Sequence, residues 1–333
     1  MNITYLLGDT DMSGGIRVAL AQADALIARG HRVRLVTPGA PLTWRPSRAE
    51  WIYLDNFLDY DARDEDFVIG TFWSTVGPAY EIAGNRAVHF SQGYEGAFNA
   101  YAPIKPQIDA TYALPIPKLV VSKPLVDVLR PFSDDVTCVG QIVEEEFYRA
   151  QTPPERHPPR VLVCGQAQGD MKGVPDAYGA VAHARWFHQK LDLIRVSPWV
   201  PSREEPLEAV QEFHVALNTA EMTRLMHSCD LLIAPNHREE GFGLPAAEAM
   251  ASGIPCLMTA IPSYLSFDEK HDFALFAPEE NPVELGEKLI ELLGDEELRE
   301  RLRQRGREVA EQWRVEHVAD RLERFFTSRR ARV

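Results

Sequence analysis

The sequence has no apolar run approaching the roughly 18 residues that a bilayer-crossing helix needs. The strand-like Ile3-Thr-Tyr-Leu-Leu7 runs straight into polar Gly8-Asp-Thr-Asp11, which is not a signal-peptide pattern. A cytoplasmic location is the expectation. There are only four cysteines, at 138, 164, 229 and 256, none closely paired, and the last three lie in or beside apolar strand-like runs. They read as reduced, buried thiols. Basic charge is scarce too: 35 Lys and Arg against 49 Asp and Glu give a net charge of −14. Binding to a nucleic-acid backbone draws on basic surface that this chain largely lacks. Arg329, Arg330 and Arg332 form one basic tail. Three charges attract anionic lipid only weakly, so peripheral membrane contact has no support beyond them. The sequence shows no long repeat, no low-complexity segment and no cluster of metal-ligand residues.

What is present is an ordinary globular composition, 45% apolar and 25% charged over 333 residues, long enough for two domains of about 150 residues. The first half opens with a strand at 3–7, a glycine loop through Gly15, a helix over about 16–29 and a strand at 31–37. That is a βαβ unit, and apolar bursts at 67–69, 87–90 and 119–121 continue it into a parallel sheet. Pro153, Pro154, Pro158 and Pro159 mark a stiff linker. The pattern then restarts with a strand at 161–163, a turn from Gly165 to Gly173, a helix over 174–187 and a strand at 191–196. Asn218 and Glu221 have capping-box spacing before a helix at 219–228, and strands follow at 231–234 and 256–258. Asn281-Pro282 starts an amphipathic helix, Asp295 caps an Arg- and Glu-rich helix with few apolar anchors, and a last helix follows Trp313. The expected architecture is α/β: two Rossmann-like parallel-sheet halves with a cleft between them, where ligands bind.

In open α/β sheets ligands bind at loops following the carboxyl ends of strands, and three glycine loops occupy such places. In the first, Gly14-Gly15 opens a helix and two glycines allow backbone to approach a diphosphate, although Asp9 and Asp11 argue against a lone phosphate. In the second, Gly165 to Gly173, Lys172 stands at a helix start, where an ammonium beside helix amides suits a diphosphate oxygen. The third is the most informative. Glu240-Gly-Phe-Gly-Leu-Pro-Ala-Ala-Glu248 places seven residues between two carboxylates, with Gly241 and Gly243 permitting a tight turn and Pro245 suiting a first helical turn. The helix amides favour phosphate, and carboxylates on either side accept hydrogen bonds from hydroxyls. Phosphate with hydroxyls describes a sugar nucleotide.

Other readings compete. Gly241-Phe-Gly243-Leu-Pro-Ala246 loosely matches a dinucleotide fingerprint and would imply an NAD-dependent dehydrogenase, but Glu239 and Glu240 would repel a pyrophosphate held by amides alone. A purely structural Glu248, set against the helix dipole, leaves Glu240 unexplained. An epimerase or a binding protein for sugar nucleotides on the same fold is a third reading.

The stretch Glu240 to Pro255 resembles the signature of the retaining, nucleotide-sugar-dependent glycosyltransferases of family 4, which have the two-domain GT-B fold. Gly14-Gly15 with Arg29-Gly-His-Arg-Val33, Val121-Ser122, Val139-Gly-Gln-Ile-Val143, Lys172-Gly173, and Cys229-Asp230 through Pro235 fall in family order, and Trp313 resembles the tryptophan that starts the last helix. The resemblance implies an N-terminal acceptor domain over 1–152 plus a returning helix at 314–333, and a donor domain over 153–313. It implies that Glu248 accepts from ribose hydroxyls, Glu240 contacts the transferred sugar, the Gly241, Phe242, Gly243 and Leu244 backbone holds the diphosphate, and Lys172 neutralises it as it leaves. No metal and no cofactor is implied beyond the UDP-, GDP- or dTDP-sugar itself, and the acceptor is a glycan, a lipid-linked molecule or a small molecule. Where the family has an arginine, this chain has Gln166, with Arg195 or Arg238 as substitutes. Either His89 or Gln92 takes the place of the family's donor-contacting histidine. Gly14-Gly-Ile-Arg-Val18 and Gln92-Gly-Tyr-Glu95 are similar to the rhamnosyltransferase branch that builds bacterial surface glycans. The family's stretch after the strand at 256–258 is replaced here by Ala260 to Phe267.

Overall fold

A computed structural model describes residues 1–149, 158–168 and 170–330. The chain divides into two compact units, Met1–Ile142 with Val315–Val333, and Val143–Arg314. Of the proline cluster, Pro153 and Pro154 lie outside the described residues.

The first unit holds a seven-stranded sheet: β1 Asn2–Leu6, β2 Arg32–Thr37, β3 Glu50–Tyr53, β4 Phe67–Gly70, β5 Ala87–Ser91, β6 Lys118–Val120 and β7 Val136–Cys138. Every pairing is parallel, in the order β3-β2-β1-β4-β5-β6-β7. The central strands are apolar along their length because both faces are covered; β4 and β5 are buried throughout. The helix Gly14–Ala28 starts two residues before the sequence pattern suggests, since the Ser13 hydroxyl accepts from the Ile16 amide at 3.3 Å and caps it there. The last helix, Val315–Arg330, returns to this unit, where Phe326 packs on Phe67 of β4 at 4.9 Å and Glu323 accepts from Arg29 at 2.8 Å.

The second unit holds a six-stranded parallel sheet: β8 Arg160–Cys164, β9 Asp192–Ser197, β10 Glu212–Val215, β11 Leu231–Ala234, β12 Cys256–Thr259 and β13 Leu275–Ala277. Its order, β10-β9-β8-β11-β12-β13, repeats that of the first sheet. The capping box forms as its spacing predicts, with Asn218 Oδ1 accepting from the Glu221 amide at 3.0 Å and Glu221 Oε2 from the Asn218 amide at 2.9 Å. The helix Glu296–Ala310, expected to carry few anchors, buries Leu298, Leu302, Val309 and Ala310. A stripe at helical spacing suffices although most of its residues are charged. In each sheet the chain reverses its direction of winding beside the first strand, between β1 and β4 and between β8 and β11. That reversal opens a crevice at the strands' carboxyl ends. Among the described residues no helix is long and apolar enough to cross a membrane.

Candidate functional site

Two of the predicted loops meet at the reversal in the second sheet. The loop after β8 ends in a short turn, Asp170–Lys172, before the helix Val174–Trp186, and the loop after β11 leads into the helix Leu244–Ala251. Lys172 Nζ lies 2.6 Å from Glu240 Oε2. The same oxygen accepts from Asn236 Nδ2 at 2.6 Å, while Oε1 accepts from the amides of Gly243 at 3.1 Å and Phe242 at 3.4 Å. Both carboxylate oxygens are therefore engaged. Burial pushes the Glu240 carboxyl up, but Lys172, the Phe242 amide and Asn236 outweigh it and hold the group below the usual carboxylate range.

The loops lock together through backbone. The His237 amide donates to the Met171 carbonyl at 2.9 Å, and the His237 ring meets Asp176 at 2.9 Å. Gly173 has φ +56°, and a Cβ there would stand 1.8 Å from the Pro235 carbonyl oxygen. Gly243, the residue before the helix, has φ +88°, and its Cβ would stand 2.1 Å from Tyr264. Only glycine fits either place. Phe242 is buried rather than displayed to a ligand: its ring packs at 5.4 Å on Trp313 and at 5.2 Å on Phe267. Its contribution is through the backbone amide. Glu248 lies one turn inside the helix and is buried, and Gly241 is buried as well.

Three residues that sequence reasoning missed hold Glu240 from behind. Tyr264 donates its hydroxyl to Asn236 Oδ1 at 2.7 Å, leaving Asn236 Nδ2 to face Glu240, and the Ser263 hydroxyl donates to the Glu240 carbonyl. Tyr264 and Ser263 belong to Ala260 to Phe267, the stretch that departs from the family pattern. The signal available was position: a loop after β12, which neighbours β11, reaches the same end of the sheet.

Gln166 follows β8 and is partly exposed. Arg195 is fully buried and paired with Glu205 at 2.8 Å, and Arg238 is exposed and paired with Glu279. In the first unit, Gly14 and Gly15 lie in the first turn of their helix, and Gln92 donates Nε2 to the Gly15 carbonyl at 3.0 Å. His89 sits mid-strand in β5 with no exposed surface, its ring edge-on to Tyr112 at 4.5 Å. Neither ring nitrogen has a hydrogen-bond partner among the described residues. Burial and then Lys118 push its pKa down to about 3. Of the basic tail, Arg329 pairs with Asp135 and Arg330 with Asp66 at 3.0 Å; Arg332 lies outside the described residues.

Residues 201–309, which include the Glu240 loop, match the family described as Glycosyl transferases group 1, so the second unit carries a domain of that family. The chain is 34% identical over 93 residues to an uncharacterised glycosyltransferase of Methanocaldococcus jannaschii, 28% of this chain and 26% of that protein. It is 32% identical over 106 residues to the N-acetyl-alpha-D-glucosaminyl L-malate synthase of Bacillus anthracis, 32% of this chain and 28% of that protein. The matches thus span little more than a quarter of these curated relatives. The crystal structure of Anabaena HepE in complex with UDP-glucose superposes with a TM-score of 0.80 at 13% identity, over 98% of this chain and all of that one. The fold is that of the GT-B glycosyltransferases.

Proposed function

We propose that the protein is a retaining glycosyltransferase that moves a sugar from a nucleoside diphosphate to a hydroxyl of a glycan, lipid-linked or small-molecule acceptor. One observation carries this reading: Lys172, the amides of Phe242 and Gly243, and the carboxylate of Glu240 converge at the reversal of the second sheet. A cation and backbone amides suit a diphosphate, and carboxylates on either side suit hydroxyls. The family match over 201–309 and the UDP-glucose complex of HepE point the same way.

In the proposed reaction the bond between the sugar's anomeric carbon and the diphosphate oxygen breaks, and its electron pair goes to that oxygen. Lys172 and the loop amides stabilise the developing charge, the part a divalent metal plays elsewhere. The acceptor oxygen bonds the anomeric carbon on the same face, and its proton passes to the departing phosphate. As the diphosphate takes over Lys172 and the loop amides, Glu240 exchanges them for the sugar hydroxyls, and Glu248 faces the ribose. His89 is given no part, since it has no exposed surface. Release of nucleoside diphosphate from UDP-, GDP- and dTDP-sugars tests the proposal. Lys172→Ala is expected to lower turnover by at least about a hundredfold while EDTA leaves the wild type active; abolition by EDTA would overturn the metal-free mechanism.

A further inference from the structure

Arg195 stands mid-strand in β9, opposite Val163 of β8 and Phe213 of β10, and is fully buried. A guanidinium keeps its charge when buried, so each nitrogen needs an acceptor. Nε and Nη2 donate to Glu205 Oε1 at 3.0 and 2.8 Å, and Nε faces the Tyr178 hydroxyl at 3.3 Å. Tyr178 and Phe213 also flank the guanidinium with their rings, at 5.8 and 5.7 Å. Glu205 alone would balance the charge. Two further bonds go to the backbone at the end of β8: Nη1 to the Val163 carbonyl at 2.8 Å and Nη2 to the Gly165 carbonyl at 2.9 Å.

Gly165 is therefore held from both sides by β9, because its amide donates to the Val196 carbonyl at 2.9 Å. Its φ is +126°, a glycine conformation, and the space where a Cβ would stand is lined by Cβ, Cγ and Cδ of Lys172 at 3.3, 3.4 and 3.6 Å. The stem of Lys172 rests on Gly165 and its ammonium ends at Glu240. We propose that Arg195 is a positioning residue: by holding the Gly165 carbonyl it fixes the platform on which Lys172 lies, and so places the ammonium at the Glu240 loop. This rests on the reading of that loop as the donor site of a glycosyltransferase.

The test is the double substitution Arg195→Met with Glu205→Leu, because replacing a whole buried ion pair by apolar side chains often leaves stability intact. With UDP-, GDP- and dTDP-glucose as probes, kcat is expected to fall between about tenfold and a hundredfold while the folding midpoint holds. In a Lys172→Ala background the same double substitution is expected to cost no further activity, a non-additivity that a merely structural role would not produce. Full kcat in the folded double variant, or equal losses in both backgrounds, would overturn the proposal. If the double variant does not fold, Arg195→Lys keeps a charge for Glu205 but has no planar fork to reach both carbonyls, and a normal kcat there would count against it. A readout independent of donor is hydrogen exchange of the peptide covering residues 162–168, expected to quicken in either folded variant. Should the wild type turn over no donor, the functional reading fails, and unchanged exchange in that peptide would separately refute the positioning role.

Discussion

Gly173→Ala is the sharpest structural perturbation of the site. At φ +56° an alanine pays about 1–2 kcal/mol for the left-handed conformation alone. The larger effect is steric: the new Cβ would stand 1.8 Å from the Pro235 carbonyl oxygen and 2.7 Å from its carbon. Carbon-to-oxygen contacts settle near about 3.3 Å, so two backbone segments must separate by more than an ångström. Those segments are tied by the His237 amide to the Met171 carbonyl at 2.9 Å and by His237 to Asp176 at 2.9 Å. Losing or stretching these adds roughly 1 kcal/mol apiece. The sum, about 3–4 kcal/mol, corresponds to a fall in melting midpoint of roughly 6–16 °C for a unit of this size. Gly294→Ala is the control: nothing lies within 4 Å of its Cβ position, and its stability should stay within about 1 kcal/mol of wild type. Thermal melts followed by circular dichroism decide the matter. A Gly173→Ala midpoint within about 2 °C of wild type would refute the close approach of the two loops and, with it, the assembly of Lys172 on Glu240.

Further expectations concern single groups. Burial raises the Glu95 carboxyl to about 7 although Tyr112 donates to it; the folded state thus binds the proton more tightly than the unfolded chain. Its contribution is full below the unfolded pKa near 4.5 and is lost as pH rises to about 7, a difference of roughly 3 kcal/mol. Urea melts from pH 4.5 to 8 should show that slope in the wild type and not in Glu95→Gln; parallel curves would contradict it. His89→Leu removes a buried ring whose two nitrogens have no partner among the described residues, so stability at pH 7 should hold or rise and turnover should stay within about threefold; a folded variant with collapsed kcat would show that the imidazole meets substrate. Tyr264→Phe leaves Asn236 Oδ1 without its phenol donor and should cost about 1–2 kcal/mol and raise the donor KM, whereas unchanged melts and kinetics would remove Tyr264 from the site's support.

The strands that were legible in the sequence are the interior ones. β1, β2, β4, β5 and β6 of the first sheet and β8, β9, β11 and β12 of the second all announce themselves as apolar runs, because each is flanked on both sides and covered on both faces. β3, β7, β10 and β13 escaped, and each is an edge strand of three or four residues with partly exposed positions. Short edge strands carry little hydrophobic signal because half of their pairing surface faces outward. The site divides similarly. Lys172, Glu240 and the glycines around them stood out through charge and turn chemistry at the ends of apolar strands. Asn236, Ser263 and Tyr264 did not, because their contribution lies in hydrogen bonds across 28 and 23 residues of chain that only the sheet order brings together. Arg195 was named from the sequence only as a substitute cation for Gln166; its bonds to Glu205 and Gly165 became apparent only once β9 was seen beside β8.

The most direct test of the central claim is calorimetric titration of the wild type and of Glu248→Ala with UDP-, GDP- and dTDP-sugars. The site described here predicts that at least one donor binds the wild type with a micromolar to millimolar Kd, and that the variant, while folded, binds it about tenfold or more weakly through loss of a charged hydrogen bond to ribose. No binding of any donor to folded wild type, or equal binding to the variant, would contradict it.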